Sequence, residues 1–172
     1  CALPILIMST FMLKPIVGSP GTCLIAAGVC SVLALMATPV RAQDARADVA
    51  AQLKVVTDAR AEAGFLPDTQ AFGRATMLGV LEDGGSVYLE LTLDAGREYH
   101  IEARCDTGCS NIDGRVLSPT FDPVAEDTLD NDAPKMTFKA PSSGPHLLGL
   151  QMTTCAARIC YFGVTILSRP VR

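Results

Sequence analysis

The sequence predicts an all-β fold: an antiparallel β-sandwich or jelly roll of about eight strands, preceded by an N-terminal helix. From residue 72 onward, apolar and polar residues alternate, and turn-forming residues recur roughly every eight to twelve positions. This region shows no helical period, which favours two packed sheets over an α/β fold. The candidate strands are 74–81, 86–93, 98–104, 112–117, a short one near 124, 136–139, 147–152 and 161–167.

The first three candidate strands are separated by hairpin signals. Residues 83–85 are Asp-Gly-Gly and residues 94–96 are Asp-Ala-Gly, and both are typical of tight turns between antiparallel strands. The strand between these turns has one apolar and one polar face, as expected when one face lies in the core and the other in solvent. The apolar face consists of Val87, Leu89, Leu91 and Leu93, and the polar face carries Tyr88, Glu90 and Thr92.

Residues 45–63 are rich in alanine, contain no proline and end just before Gly64, which predicts a helix. Val49, Leu53 and Val56 recur at helical spacing, so the helix has a thin apolar stripe. We expect this helix to lie against the domain. The alternative is an arm that binds a partner or a second copy of the chain.

Residues 1–42 are predicted to be a secretory signal peptide. Lys14 supplies its positive charge, and the apolar run at 23–37 is shorter than the roughly 20 residues that a membrane-spanning helix needs. Val-Arg-Ala at 40–42 fits a cleavage site. We therefore expect Gln43 to be the first residue of the mature protein.

The signal peptide divides the chain into three regions. Residues 1–42 are removed, with 1–11 interpreted as an over-extended start; 43–71 form the helix and a linker; and 72–172 form the β-sandwich. The alternatives to cleavage are a retained membrane anchor and lipid attachment at Cys30. Export places the protein in the periplasm or outside the cell.

Charge narrows the choice of partners. After residue 42 the chain has 12 Lys and Arg against 18 Asp and Glu, a net charge of −6. Nucleic acids and anionic lipid surfaces attract clustered basic residues, which this sequence lacks. The expected partner is therefore an unidentified protein or glycan of the cell envelope.

Four cysteines follow the predicted cleavage site: Cys105, Cys109, Cys155 and Cys160. An even number of cysteines in an exported chain predicts disulfides, and a zinc site is the alternative. Cross-pairing would close the longer loops and restrict the unfolded chain more, but neighbouring cysteines meet more easily. We expect Cys105–Cys109 and Cys155–Cys160, both at the same end of the sandwich.

Three segments resemble the bacterial pre-peptidase C-terminal domain and its exported stand-alone relatives. They are Cys105-Asp-Thr-Gly-Cys-Ser-Asn-Ile-Asp113, Pro134-Lys-Met-Thr-Phe-Lys-Ala-Pro-Ser-Ser-Gly144 and Cys160-Tyr-Phe-Gly-Val164. The resemblance covers about residues 72–168, but His146 replaces an aromatic residue that this family commonly has. It implies a jelly-roll-like sandwich that serves for attachment or targeting, sometimes binds calcium and is rarely a catalyst.

The sequence offers little for catalysis, and we predict no catalytic residue. It has two histidines and shows no nucleophile elbow, zinc-protease helix or phosphate-binding glycine loop. His100 lies on a predicted strand and His146 in a predicted turn, so both are expected to be structural. The alternative is a small hydrolase, which would show a cleft joining His100 or His146 to a carboxylate and a nucleophile.

Acidic residues form the one cluster that suggests a site. Hard cations such as Ca²⁺ take six to eight oxygen ligands, and acidic side chains crowd into a predicted loop between residues 122 and 132. The candidate calcium ligands are Asp106, Asp113, Asp127, Asp130 and Asp132. The simpler interpretation is a solvated acidic loop without a cofactor. The expected function is a non-enzymatic binding or envelope-associated module, or alternatively an assembly subunit that uses its helix as the contact.

Overall fold

The computed structural model describes the backbone of residues 39–171 and the side chains of residues 43–171. Apart from the start of one helix, the predicted signal peptide lies outside the described residues. The elements are α1 (Pro39–Ala61), β1 (Leu66–Pro67), β2 (Thr76–Glu82), β3 (Ser86–Leu93), β4 (Arg97–Cys105), β5 (Cys109–Leu117), β6 (Pro123–Asp127), β7 (Lys135–Lys139), β8 (Gly144–Cys155) and β9 (Ile159–Pro170). Each of the eight predicted strands is present.

The strands form two antiparallel sheets with a nested order. One sheet has the order β1-β9-β4-β7, with β2 also paired to β9, and the other has the order β3-β8-β5-β6. The pairs β2–β9, β3–β8, β4–β7 and β5–β6 are those of one long hairpin rolled into two layers. This arrangement is the jelly roll, so the predicted all-β sandwich is confirmed.

The core lies between the two sheets and is built from alternate residues of each strand. Leu91 and Leu93 of β3 are buried, and Val87 and Leu89 pack against the same cluster. Tyr88, on the opposite face of β3, remains exposed. The predicted division of this strand into a core face and a solvent face is therefore confirmed.

Helix α1 packs on the outer face of the five-stranded sheet. Its stripe of Val49, Leu53 and Val56 is buried, which confirms the face predicted from the sequence. At Gly163 of β9, a Cβ atom would lie 2.6 Å from Leu53 Cδ1 and 2.9 Å from Val49 Cγ1, so the glycine leaves room for the helix. The helix covers this sheet, whereas none of the described helical residues packs on the outer face of the four-stranded sheet.

The helix and the segment that follows it differ from the sequence expectation. The helix spans Pro39–Ala61 instead of 45–63, and the expected linker up to residue 71 is packed against the sandwich. Phe65 is buried, the next two residues pair with β9 as β1, and Ala71 belongs to the core. Within the described part of the chain, no helix is both long and apolar enough to cross a membrane.

The structure joins Cys105 to Cys109 and Cys155 to Cys160. The first bridge closes the turn between β4 and β5, and the second closes the turn between β8 and β9. Cys109 and Cys155 are register partners in the β5–β8 ladder, so both bridges lie at one end of the sandwich. The pairing is the one between neighbouring cysteines.

Candidate functional site

The candidate site is a groove of about 320 Å³ on the open outer face of the four-stranded sheet. Its residues come from β3, β8, β5, β6 and the β5–β6 loop. They are Ser86, Tyr88, Asp113, Arg115, Leu117, Phe121, Pro123, Glu126, Gly149, Leu150 and Gln151. The volume lies at the lower end of the range of about 300 to 1,000 Å³ that small-ligand pockets take.

One row of polar side chains crosses the groove. Ser86 of β3 is opposite Gln151 of β8, and Gln151 is in turn opposite Asp113 of β5. Because directly opposite residues in antiparallel strands share a face, hydroxyl, amide and carboxylate line up across three strands. The Oδ1 atom of Asp113 is buried and has no hydrogen-bond partner among the described residues.

A tyrosine forms the next row. Tyr88 pairs with Gly149 across the β3–β8 ladder, and its ring covers the glycine. A Cβ atom at Gly149 would lie 2.9 Å from Cε1 and 3.3 Å from Cδ1 of this ring, so any larger residue would displace it. Tyr88 is nevertheless 65% exposed. The glycine therefore lets an aromatic ring lie over the sheet while much of its surface remains open to solvent.

The same row ends in an ion pair. Arg115 of β5 is opposite Gly149 on one side and Glu126 of β6 on the other. Arg115 Nε lies 3.7 Å from Glu126 Oε2, and both side chains are about half exposed. Since these two charges balance each other, Asp113 is the uncompensated charge among the groove residues.

Phe121 forms part of the rim in a conformation that phenylalanine rarely adopts. Its φ angle is +65°, in the left-handed region, and its side chain is 69% exposed. A bulky residue there costs roughly 1 to 3 kcal/mol and persists only where its surroundings hold it. Ser118 provides that support, since its Oγ accepts the N–H of Asp122 at 3.1 Å and its carbonyl accepts the N–H of Phe121 at 2.9 Å.

A second polar cluster lies under helix α1. His100 Nε2 is 3.0 Å from Glu102 Oε2, and His100 Nδ1 is 2.7 Å from the hydroxyl of Thr137. Arg104 Nη2 donates to Glu102 Oε1, and Arg60 of the helix lies 3.9 Å from Glu102 Oε2. His100 and Glu102 are almost fully buried, and each makes the hydrogen bonds that a buried polar group needs.

The charge state of Glu102 follows from these partners. Burial by itself raises the pKa of the Glu102 carboxyl, but the hydrogen bond from His100 and the positive charges of Arg104, His100 and Arg60 outweigh it. The net effect lowers the pKa of Glu102 below its ordinary value of 4.5. The cluster therefore holds a buried carboxylate in its charged form.

The two histidines occupy different settings. The expectation that His100 is a satisfied structural residue agrees with its two hydrogen bonds. The expectation that His146 lies in a turn is wrong: β8 begins at Gly144, so His146 is the third residue of a strand and faces the core. Its Nδ1 atom is 3.1 Å from the Gly144 carbonyl, and its Nε2 atom has no partner among the described residues.

The acidic residues considered for calcium have different surroundings in the structure. Asp106 Oδ1 accepts the N–H of Gly108 and its Oδ2 accepts the N–H of Tyr161, both within 3.0 Å. Asp127 likewise accepts backbone N–H groups, Asp130 and Asp132 are exposed, and Asp113 lies in the groove. Across residues 43–171, no three histidine, cysteine or acidic side chains converge as a metal site. Calcium binding stays a prediction.

Of the groove residues, the sequence predicted only Asp113 as a site residue, and as a calcium ligand. The signal for Tyr88 was available, because it is the large aromatic residue on the polar face of β3. The polar row and the glycine beneath Tyr88 depend on the register of β3 against β8 and of β8 against β5. That register joins residues far apart in the chain, and a single sequence does not reveal it.

The fold and the groove define a jelly-roll β-sandwich with one sheet covered by a helix and an open groove on the other. No protein-family model matches the chain, and no curated protein matches it. Among solved structures, it is similar to PliG of Aeromonas hydrophila, a periplasmic lysozyme inhibitor of g-type lysozyme. The identity is 20%, the match covers 54% of this chain and 84% of that chain, and the TM-score is 0.40.

Proposed function

We propose that this protein is an exported, non-catalytic binding module that holds a ligand of the cell envelope in the groove of the four-stranded sheet. The observation that supports it is Asp113, which lines the groove with an unpartnered Oδ1 atom and shares that groove with the exposed Tyr88. Asp113 lines the groove and is partly exposed, so a ligand that donates to its carboxylate would satisfy a group that lacks a partner at Oδ1. The two disulfides are typical of proteins in an oxidising compartment and support export.

The rim of the groove supports the same proposal. Phe121 combines an unfavourable backbone conformation with an exposed aromatic ring, and neither feature stabilises the fold by itself. Strained residues cluster at ligand sites, where the strain is part of how the site is organised. Exposed aromatic residues that carry binding energy are also typical of recognition surfaces.

Binding through the groove is tested by sedimentation of the purified exported protein with bacterial cell envelopes. We expect Tyr88→Ala and Asp113→Ala each to lower the bound fraction, corresponding to about a tenfold weaker affinity or more, because each removes a contact surface at the centre of the groove. The matched control is Thr92→Ala, which lies on the same outer face of β3 but does not line the groove.

Two results of the sedimentation experiment would contradict the proposal. One is equal binding by the wild type, the two groove variants and the Thr92→Ala control. The other is a wild type that does not sediment with envelopes at all. Thermal melts accompany the assay, since Asp113→Ala removes an unpartnered acceptor and is expected to leave the melting temperature unchanged or higher.

A hydrolase is the second candidate function, because the structure joins His100 to the carboxylate of Glu102 and to the hydroxyl of Thr137, and Thr137 is an exposed residue. Acyl transfer also needs N–H donors aimed at the developing oxyanion. Thr137 is the register partner of His100 in the β4–β7 ladder, so their contact follows from ordinary strand pairing. We therefore assign the trio a structural role.

The structural role of the trio predicts no hydrolysis that depends on Thr137. Wild type and Thr137→Val should release p-nitrophenol from p-nitrophenyl acetate at the same rate, because the hydroxyl serves only as a hydrogen-bond partner of His100. Valine preserves the shape of threonine at this exposed position, so folding is retained. A burst of p-nitrophenol that Thr137→Val abolishes would instead establish a catalytic hydroxyl.

A further inference from the structure

We propose that the ligand of the groove is a neutral saccharide, with one sugar ring stacked on Tyr88 and hydroxyl donors of the saccharide directed at Asp113, two strands away. This inference rests on the proposed function and names the chemical class of its ligand. Four properties of the groove support this inference: the placement of Tyr88, the unpartnered acceptor of Asp113, the balance of charges and the volume.

The placement of Tyr88 suits a flat ligand with an apolar face. Three atoms of its ring lie within 3.8 Å of the position that a Gly149 Cβ would take, so one side of the ring rests against the sheet. With 65% of the residue exposed, the remaining aromatic surface is available for contact. A pyranose ring presents a face of C–H groups, and an aromatic ring with a polar edge packs against such a face while its hydroxyl stays in water.

The polar row beside Tyr88 suits a ligand rich in hydroxyl groups. Asp113 carries an acceptor that no described residue satisfies. Gln151 beside it, and Ser86 one strand further on, can both donate and accept. Sugar hydroxyls likewise donate and accept, and neighbouring hydroxyls are spaced to bridge adjacent polar side chains. A ligand of this kind would complete the hydrogen bonding of Asp113 at the moment it binds.

The charge and the size of the groove narrow the chemical class of the ligand further. Because Arg115 is neutralised by Glu126, Asp113 leaves one negative charge among the groove residues, which disfavours phosphorylated or carboxylated sugars. The volume of about 320 Å³ accommodates one or two sugar rings. The groove also lies on the face of the sheet, whereas an extended peptide pairs its backbone with a free strand edge. A saccharide therefore fits better than a peptide strand.

The ligand class is tested by amide chemical-shift mapping of the isotope-labelled exported protein. The probes are N,N′-diacetylchitobiose, cellobiose, maltose, digalacturonate and trilysine, each at millimolar concentration. We expect at least one of the three neutral disaccharides to shift the resonances of Tyr88, Gly149, Asp113 and Gln151. Digalacturonate should leave these resonances in place, because its carboxylates meet the unpaired charge of Asp113.

Variants of groove residues test whether the chemical-shift changes report binding in the groove. Tyr88→Ala should weaken disaccharide binding by about tenfold or more, since it removes the aromatic surface on which the sugar ring packs. Gly149→Ala should also weaken it, because the new Cβ displaces the Tyr88 ring, whereas Thr92→Ala should bind as the wild type does. Gly149→Ala keeps the tyrosine, so its effect reports the placement of the ring.

The outcomes separate the ligand class from the proposed function. Shifts of the groove resonances by trilysine alone would overturn the saccharide and keep the groove as a binding site for a basic peptide. If none of the neutral disaccharides shifts them, the saccharide is overturned, while envelope sedimentation still decides whether the groove binds. Sugar-induced shifts that Tyr88→Ala leaves unchanged would place the sugar elsewhere and overturn the inference.

Discussion

Leu53→Ala is expected to lower the free energy of unfolding by about 2 to 5 kcal/mol, the usual cost of removing a buried leucine side chain. Leu53 is 1% exposed and occupies the space above Gly163 of β9. Its loss would leave a cavity between helix α1 and the five-stranded sheet. Urea unfolding of the exported protein, followed by far-ultraviolet circular dichroism, measures the change.

The same helix supplies a matched control for Leu53. Val55 lies two positions further along the helix and is 68% exposed, so Val55→Ala should change stability by no more than about 0.5 kcal/mol. If both variants unfold at the same urea concentration as the wild type, the helix is not docked in solution. That result would favour the arm that binds a partner or a second copy, the alternative that the sequence left open.

Local patterns predicted most of the fold, because each depends on residues that are close in the chain. Alternation in 86–93 separated the core face of β3 from the solvent face, and the two Asp-initiated turns separated β2, β3 and β4. The apolar stripe of α1 identified the residues that pack on the sheet. The described helix begins at Pro39, earlier than the expected residue 45, and a proline is compatible with the first turn of a helix.

The nested strand order and the groove depend on contacts between distant residues. Ser86, Gln151 and Asp113 lie side by side only because β3 and β5 both pair with β8. The segment after the helix was expected to be a linker, since Pro67 and Asp68 suggest a break. Instead, Asp68 accepts the N–H groups of Gln70 and Ala71 and forms part of the packed structure. No individual residue in the sequence indicated the strand order or the packing of the segment after the helix.

Replacing Glu102 should have an effect comparable to the loss of Leu53. Glu102→Ala removes the carboxylate that His100 and Arg104 share and leaves the buried His100 Nε2 without its partner. Breaking a buried charge cluster by removing one member costs about 3 to 5 kcal/mol. We expect the lower end of this range, because the Arg104 side chain is partly exposed and can be hydrated.

The pH dependence of the free energy of unfolding distinguishes the contribution of the Glu102 charge from that of the side chain's shape. The folded protein lowers the pKa of Glu102 below 4.5, mainly because the hydrogen bond from His100 and the charges of Arg104, His100 and Arg60 outweigh burial. A carboxyl whose pKa is depressed by folding stabilises the native state above the pKa it has in the unfolded chain. This contribution is lost as the pH falls through the folded-state value.

Glu102→Gln isolates that contribution, because glutamine has nearly the shape of a protonated glutamate. At pH 7 the wild type should be more stable than Glu102→Gln by about 1.5 to 3 kcal/mol, the usual value of hydrogen bonds to a charged group. The difference should shrink as the pH is lowered below 4.5, because the wild-type carboxyl then also becomes neutral.

Glu90→Gln, on the exposed face of β3, controls for the loss of a surface charge and should show little difference at either pH. Urea unfolding of the three proteins at a series of pH values gives both differences. If the wild type and Glu102→Gln are equally stable both at pH 7 and in acid, the carboxylate charge contributes nothing, and the cluster holds helix and sheet together by packing alone.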